Sequence, residues 1–531
     1  MSDIILIGLD GLAWREINEW IESGYLPRLN TVKREGNGYG LQSTHPPWTP
    51  CAWPSLLSGR GPGHHGVFDF FTSDNYDKKL INRQSVDSAY VFDLVESQNL
   101  TSISINYPVT HPASKVDNGA IVPGYLAPED VEFYPQEIRE EYEAEYGEYV
   151  IYPEYGTDSD AVSEYVDVAR HRRDMARFLN ERYDWDLMAV QFQVTDSIFH
   201  DLDDRDKIRQ VLEKVDEFVG DIIDLGGDDP TVFIASDHGM GDYEWTFYVN
   251  SWLAENGYCE TTEGDAQYFR QQKDALKGKD EDDETSSVAQ GVKATANTLS
   301  KVGLSPRRIH RTLDSVGLAE YVERLLPEDA LVAAQNQVVD HPNSMAYQLL
   351  FNSLGIHLNV EGRDPQGVIP EEEYEEVRSE IINELKEIRD PDGNLVFDDV
   401  RPREEVYEGK HLEDAPDIAL FPRDYQYDVS GSILDTFRRN PHKNHKPEGI
   451  LLSNRSLGDI DQAEIYDIAP TVAAELGIPV DTKTDGKVLT DTEEQVERED
   501  WDELAGDYAG SNDEQDTSSV EDRLADLGYM E

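Results

Sequence analysis

Ile4-Ile5-Leu6-Ile7-Gly8-Leu9 is an unbroken apolar run, rich in β-branched residues, that stops abruptly at Asp10-Gly11. A strand with one face in water alternates apolar and polar residues. A run apolar at every position suits a strand covered on both faces, as inside a parallel sheet. An amphipathic stretch from Trp14 to Ser23 follows the turn. Comparable runs stand at Ser102–Ile105, Leu187–Phe192, Thr231–Ala235 and Ile418–Phe421, and helical patterns at Asp203–Leu225 and Ala469–Leu476. Strands alternating with helices predict an α/β fold, a doubly wound and mainly parallel sheet flanked by helices. In such sheets functional groups gather at the carboxyl ends of strands, so the polar residues just after each run come first.

The rhythm lapses between about Ala254 and Ser344, where Asp280-Glu281-Asp282-Asp283-Glu284 is a solid acidic block. The expected organisation is a catalytic core over 1–253 and 345–490, a cap-like insertion over 254–344, and an acidic, disordered tail over 491–531. No internal repeat is visible. Charge narrows the partners: 46 Lys+Arg against 109 Asp+Glu gives −63. Such a surface repels phosphate backbones, so binding to a nucleic-acid duplex is not expected. It also repels itself unless salt screens it, which points to a high-salt cytoplasm. Two cysteines exclude a disulfide framework and a four-cysteine zinc site. No run approaches the roughly 18–20 apolar residues of a membrane span, and Met1-Ser2-Asp3 lacks the basic start of a signal peptide. A cytoplasmic protein is expected; its oligomeric state is not legible.

Metal-type ligands stand at four separate places. Asp10 follows the first strand, Asp196 and His200 follow Leu187–Phe192, and Asp237 and His238 follow Thr231–Ala235. His445 lies in a loop rich in His, Lys and Pro just before Gly449-Ile450. Three carboxylates and three imidazoles suffice for two zinc-like ions. A nucleophile is available in Thr49, within His45-Pro46-Pro47-Trp48-Thr49-Pro50-Cys51. A threonine hydroxyl attacks poorly until a metal lowers its pKa, and a second metal can steady the leaving oxygen of a phosphoryl transfer. Thr49 also suits an N-cap, and the backbone N–H groups after it suit a phosphate oxygen.

Taken together, Gly8-Leu9-Asp10-Gly11, the block from Thr49 to Gly59, Pro62-Gly63-His64-His65-Gly66-Val67, Asp196 to His200 and Ser236 to Met240 resemble the alkaline phosphatase superfamily. The likeness is greatest to its type I phosphodiesterase/nucleotide pyrophosphatase branch. Ile465-Tyr466-Asp467-Ile468-Ala469-Pro470-Thr471 and Asp485-Gly486-Lys487-Val488-Leu489 resemble that branch's C-terminal signature. The resemblance implies that Asp196, His200 and His445 hold one zinc. It implies that Asp10, Asp237 and His238 hold the other, with Thr49 beside it as the metal-bound nucleophile. His442 competes with His445, whose spacing to Gly449-Ile450 resembles the family's pattern. Asn106 is a candidate phosphate-oxygen donor. Cys51-Ala52-Trp53-Pro54-Ser55-Leu56 departs from the sulfatase motif, and the phosphoglycerate mutase branch uses Ser with a large insertion after it. Arg60 is the nearest cation to Thr49.

The function expected is hydrolysis of a small phosphodiester or phosphomonoester by two divalent ions, Zn²⁺ or Mn²⁺, through a covalent phospho-threonine. The rival readings are a phosphomutase or phosphotransferase on the same site, and a non-catalytic, metal-stabilised binding protein.

Overall fold

The central sheet takes the strand order Ala463–Glu464, Asn37–Gln42, Glu448–Ser453, Thr231–Ala235, Ile4–Leu9, Leu187–Phe192, Ser102–Ile105, Gly119–Val122. This is a computed structural model, describing residues 3–74, 76–153, 161–263, 337–349, 353–458, 460, 462–490, 496–506 and 520. Ile4–Leu9 runs parallel to both neighbours, with Leu9 beside Phe192 and Gly8 beside Ala235. Glu448–Ser453 runs antiparallel to the strands on either side of it. The sheet is therefore mainly parallel, and three adjacent strands end side by side where the candidate ligands begin. Every residue of those three strands is buried, in keeping with their almost wholly apolar character.

Helices flank the sheet, among them Trp14–Glu22, Ala161–Asn180 and Arg205–Ile223. Arg205–Ile223 buries Ile208, Val211, Leu212, Val215, Val219 and Ile222, a stripe at helical spacing, and its one buried charge, Asp216, accepts from the backbone N–H groups of Arg28 and Leu29. No described helix is long and apolar enough to cross a membrane.

Gly8 sits where the sheet is tightest. A Cβ there would come within 2.6 Å of Trp53 Cη2 and 2.9 Å of Gln191 Cγ. Both neighbours are fully buried and have no room to retreat. Gly8→Ala is therefore expected to destabilise the fold by about 1–3 kcal/mol through overpacking, read as a lower urea midpoint at unchanged slope.

Two smaller sheets build the ground around the site. Gly239–Tyr248 pairs with Phe437–Lys446 on one side and Tyr427–Ser430 on the other. A separate antiparallel sheet takes the order Ala346–Tyr347, Gly355–Leu358, Ile418–Pro422, Phe397–Pro402 and packs with helix Tyr374–Lys386. Ile418–Phe421 is thus a strand, as its composition predicts, but it belongs to this second sheet. A short buried run does not say which sheet will cover it.

Most of the expected insertion, 264–336 with its acidic block, lies outside the described residues. Its two ends meet: Thr261–Glu263 pairs antiparallel with Gln337–Val339. The expected disorder of the tail does not hold for residues 496–506. Arg498–Glu499 pairs with Val480–Asp481, and Trp501 is fully buried with its indole N–H on Pro479 O at 2.8 Å. Asp502 accepts from Arg60 at 2.7 Å, and Asp500 reaches Lys483 at 2.7 Å. Acidic composition averaged over a tail conceals one tryptophan and two partnered aspartates.

Candidate active site

The side chains arrive on several elements. Asp10 follows the first strand directly. Asp196 and His200 lie four residues apart on helix Val194–Asp201, so they share a face. Asp237 and His238 fill the turn between Thr231–Ala235 and Gly239–Tyr248. His445 is in a strand rather than the expected loop: Phe437–Lys446 sets it opposite Met240, two residues from His238. Tyr243 steadies it by donating to His445 O at 2.5 Å.

The seven side chains converge. Ligand atoms of Asp10, Asp237 and His238 lie within 4.8 Å of one another, as do those of Asp196, His238 and His445. His200 Nε2 is 3.3 Å from Asp196 Oδ1 and 3.2 Å from His445 Nε2. Thr49 Oγ1 is 3.2 Å from His238 Nε2. The opposite nitrogen, His238 Nδ1, lies 3.0 Å from Gly239 O, a carbonyl that can only accept. Nδ1 therefore carries the proton, and Nε2 presents a lone pair to the site. His442 stays outside, about one-third exposed, with its Nε2 on Asp428 at 3.0 Å.

The charge balance shows what this cluster suits. Asp10, Asp196 and Asp237 are buried, and among the described residues no hydrogen-bond donor meets Asp10 Oδ1, Asp196 Oδ1 or Asp237 Oδ2. Among the described residues only imidazoles approach these carboxylates as ion-pair partners. Burial and the neighbouring carboxylates push Asp10 well above the usual carboxylate range, and burial with Asp196 does the same to Asp237. Burial acts in the same sense on Asp196, but His200 and His445 outweigh it and hold it well below. Burial and His238 push His445 down to about 3, so it is neutral, as a metal ligand must be. Buried carboxylates without a compensating charge are costly, and divalent cations fit this donor set.

Thr49 opens helix Thr49–Ser58 as its first residue, so the N-cap is Trp48 and not Thr49. The backbone donors expected after it are largely spent. Pro50 has no N–H, and Cys51 and Ala52 both donate to Trp48 O at 2.9 Å. Thr49's own N–H is what that turn has left to offer.

Asn106 is not placed to meet a phosphate. It is fully buried at φ +65°, and its Nδ2 donates to Gln191 Oε1 at 2.7 Å and Gln191 O at 3.2 Å. Its amide points into the sheet, one step behind Asp10. Arg60 is equally committed: it is buried beyond the far end of the helix and pairs with Asp481 at 2.5 Å and Asp502 at 2.7 Å. His65 bonds Ser55 Oγ at 2.9 Å and His64 bonds Asp485 at 2.9 Å, so both serve the turn. Trp53 and Tyr107 pack edge to face in the core and are not stacking platforms. Sequence reasoning missed Gln191, whose Nε2 donates to Asp10 Oδ2 at 2.7 Å. The signal was there: it is the one polar residue inside Leu187–Phe192.

A cavity of about 460 Å³ lies between the core and the second sheet and is lined by Phe68, Asp69, His357, Arg363 and Arg403, among others. None of these is a candidate ligand. Burial pushes Asp69 up to about 7 from an ordinary 3.8. Its folded pKa lies above its unfolded one, so the folded state holds this proton more tightly. Asp69 therefore weakens the fold progressively as pH rises from about 4 to 7, and by a constant amount above that. Asp69→Asn is expected to gain about 2 kcal/mol more over wild type at pH 8 than at pH 5, measured by denaturant titration.

A mainly parallel sheet flanked by helices, with carboxylates and imidazoles converging at its strand ends, is an alkaline phosphatase-like fold. Residues 4–317 match the type I phosphodiesterase / nucleotide pyrophosphatase family, and the chain belongs to it. Its fold is similar to that of phosphonoacetate hydrolase from Sinorhizobium meliloti 1021, solved with phosphonoformate, with a TM-score of 0.51. That match is at 14% identity over 88% of this chain and 94% of the other. Alkaline phosphatase PafA matches at TM-score 0.48 and 13% identity, covering 92% and 98% of the two chains. Murine ectonucleotide pyrophosphatase / phosphodiesterase 5 matches at TM-score 0.45 and 12% identity, covering 90% and 96%. No curated protein matches the sequence. The chain is a phosphoester hydrolase of that family.

Proposed function

We propose that this protein cleaves phosphodiesters by attack of Thr49 at a centre holding two divalent cations, zinc or manganese. The observation that carries the reading is Thr49 Oγ1 at 3.2 Å from His238 Nε2, among three buried carboxylates that no Lys or Arg of the described residues pairs with. Asp10, Asp237 and His238 would hold the cation beside Thr49; Asp196, His200 and His445 would hold the other. When bound, the two cations supply the positive charge that lowers the Thr49 hydroxyl pKa and steadies the leaving oxygen.

The chain's own residues do the rest. The first turn of the helix fixes the Thr49 Cα, and its β-branched side chain holds few rotamers, so Oγ1 stays aimed into the cluster. Attack forms the Oγ1–P bond and breaks the bond to the first alcohol, which leaves with a proton. Water then adds to phosphorus, the Oγ1–P bond breaks and Thr49 regains its hydroxyl. A diester carries one charge where a monoester carries two. Among the described residues no Lys or Arg pairs with a ligand carboxylate, and Arg60 is spent elsewhere, which favours the diester.

Metal content of protein purified in high salt, measured with turnover of bis-p-nitrophenyl and p-nitrophenyl phosphate, tests this. About two zinc or manganese ions per chain and faster diester cleavage are expected. Faster monoester cleavage overturns the substrate preference. Transfer to an added alcohol in place of water makes the protein a transferase. No metal and no turnover removes the reading altogether.

A further inference from the structure

Asp10 does not offer both oxygens. Oδ2 accepts from Trp53 Nε1 at 3.0 Å and from Gln191 Nε2 at 2.7 Å, whereas Oδ1 has no donor and faces His238 Nε2 at 3.6 Å. Asp10, Trp53, Gln191 and Asn106 are all fully buried, so no solvent competes for these bonds.

The direction of each amide can be worked out from one fixed point. Gln191 O is a backbone carbonyl and can only accept, so the group of Asn106 facing it at 3.2 Å must be the NH₂. The same NH₂ reaches the Gln191 side chain at 2.7 Å, so the atom there must be Oε1. Gln191 is then obliged to turn its own NH₂ to Asp10 Oδ2. Asn106 is itself pinned: its N–H bonds Val122 O at 2.8 Å, and Gly124 packs so closely that a Cβ there would stand 1.9 Å from Asn106 O. Trp53 closes the arrangement from the other side. It lies one turn along the helix from Thr49, so its indole ties the nucleophile's helix to the same oxygen.

We propose that Gln191 and Trp53 position Asp10 as a one-oxygen metal ligand, and that Asn106 acts solely through Gln191 by fixing which way its amide faces. This rests on the reading of the site as a two-cation centre. The three are positioning residues: among them only Trp53 and Gln191 touch a ligand, and neither touches Thr49's hydroxyl. Loss of the donors frees Oδ2 and lets the Asp10 carboxylate rotate, so the cation is held less well although every ligand remains.

The test is zinc affinity by competition with a chromogenic chelator, on full-length protein in high salt, for wild type, Gln191→Met, Asn106→Gly and the double variant. Methionine keeps the length of glutamine without its donors, and glycine accepts φ +65° without strain. Asn106→Gly also reports on its own if Gln191→Met fails to fold, because its side chain touches no ligand. Far-UV circular dichroism of the chelated proteins checks the fold. Each single variant is expected to bind one of the two zinc ions about 10–100-fold more weakly. The cobalt-substituted proteins should show a shifted visible spectrum at that site. Asn106→Gly should add less than about twofold in the Gln191→Met background, a non-additivity that general loosening of the core would not produce. Affinities within about twofold of wild type, or effects that simply add, overturn the inference alone. A wild-type protein that takes up no zinc overturns the two-cation reading and this inference with it.

Discussion

Thr49→Ala is expected to lower kcat for bis-p-nitrophenyl phosphate at least about a thousandfold while leaving the metal content unchanged. The hydroxyl is the one group in the cluster that is neither carboxylate nor imidazole, and it sits 3.2 Å from the lone pair of His238. Its removal leaves all six other side chains in place, since none of them is carried by the helix that bears Thr49. Overpacking is no concern, because the change only deletes atoms. Thr49→Ser should recover much of the rate, with a deficit from the looser rotamer once the methyl is gone. Acid quenching during turnover should leave a p-nitrophenylphosphoryl group on Thr49 in wild type and none in the alanine variant. Thr49→Ala activity within about tenfold of wild type would sink the covalent mechanism.

The same convergence explains what was legible from residues alone. Asp10 directly follows one buried strand, Asp237 and His238 follow another after one intervening residue, and Asp196 and His200 lie on the short helix after a third. Parallel strands that neighbour one another must end on one edge, so strand-end polar residues fall together almost by necessity. His445 is different. Its place depends on Phe437–Lys446 pairing with Gly239–Tyr248 across some two hundred residues of chain, and no local pattern states that register. The second sheet was hidden for a like reason: Ile418–Phe421 reads as buried without saying by what. Asn106 follows a strand as the ligands do, yet its left-handed backbone turns the amide inward to Gln191. A strand end marks a residue as near the site, and only the side-chain direction decides whether it faces substrate or supports a neighbour.

Stripping the protein with a chelator is expected to abolish turnover and to lower the melting midpoint by roughly 5–10 °C, with zinc or manganese restoring both. Two bound cations at a hundredfold excess over their Kd contribute about 5 kcal/mol of stability between them. The buried carboxylates set the other side of the balance. Asp10 and Asp237 present oxygens within 4.8 Å of each other, and burial with the neighbouring carboxylates raises both well above the usual carboxylate range, so ionising them together without a cation is costly. Salt separates this effect from the protein's general acidity. A chain of net charge −63 repels itself over its whole surface, and about 3 M KCl screens that repulsion because the Debye length falls below 3 Å. The cluster is buried, where mobile ions do not enter, so the same salt leaves its repulsion intact. Stripped protein in 3 M KCl should therefore be more stable than stripped protein in dilute buffer, yet still melt below the zinc-loaded form and turn over no ester. If potassium chloride alone closed the gap, the divalent ions would be acting on surface charge, and the three carboxylates would need no cation between them.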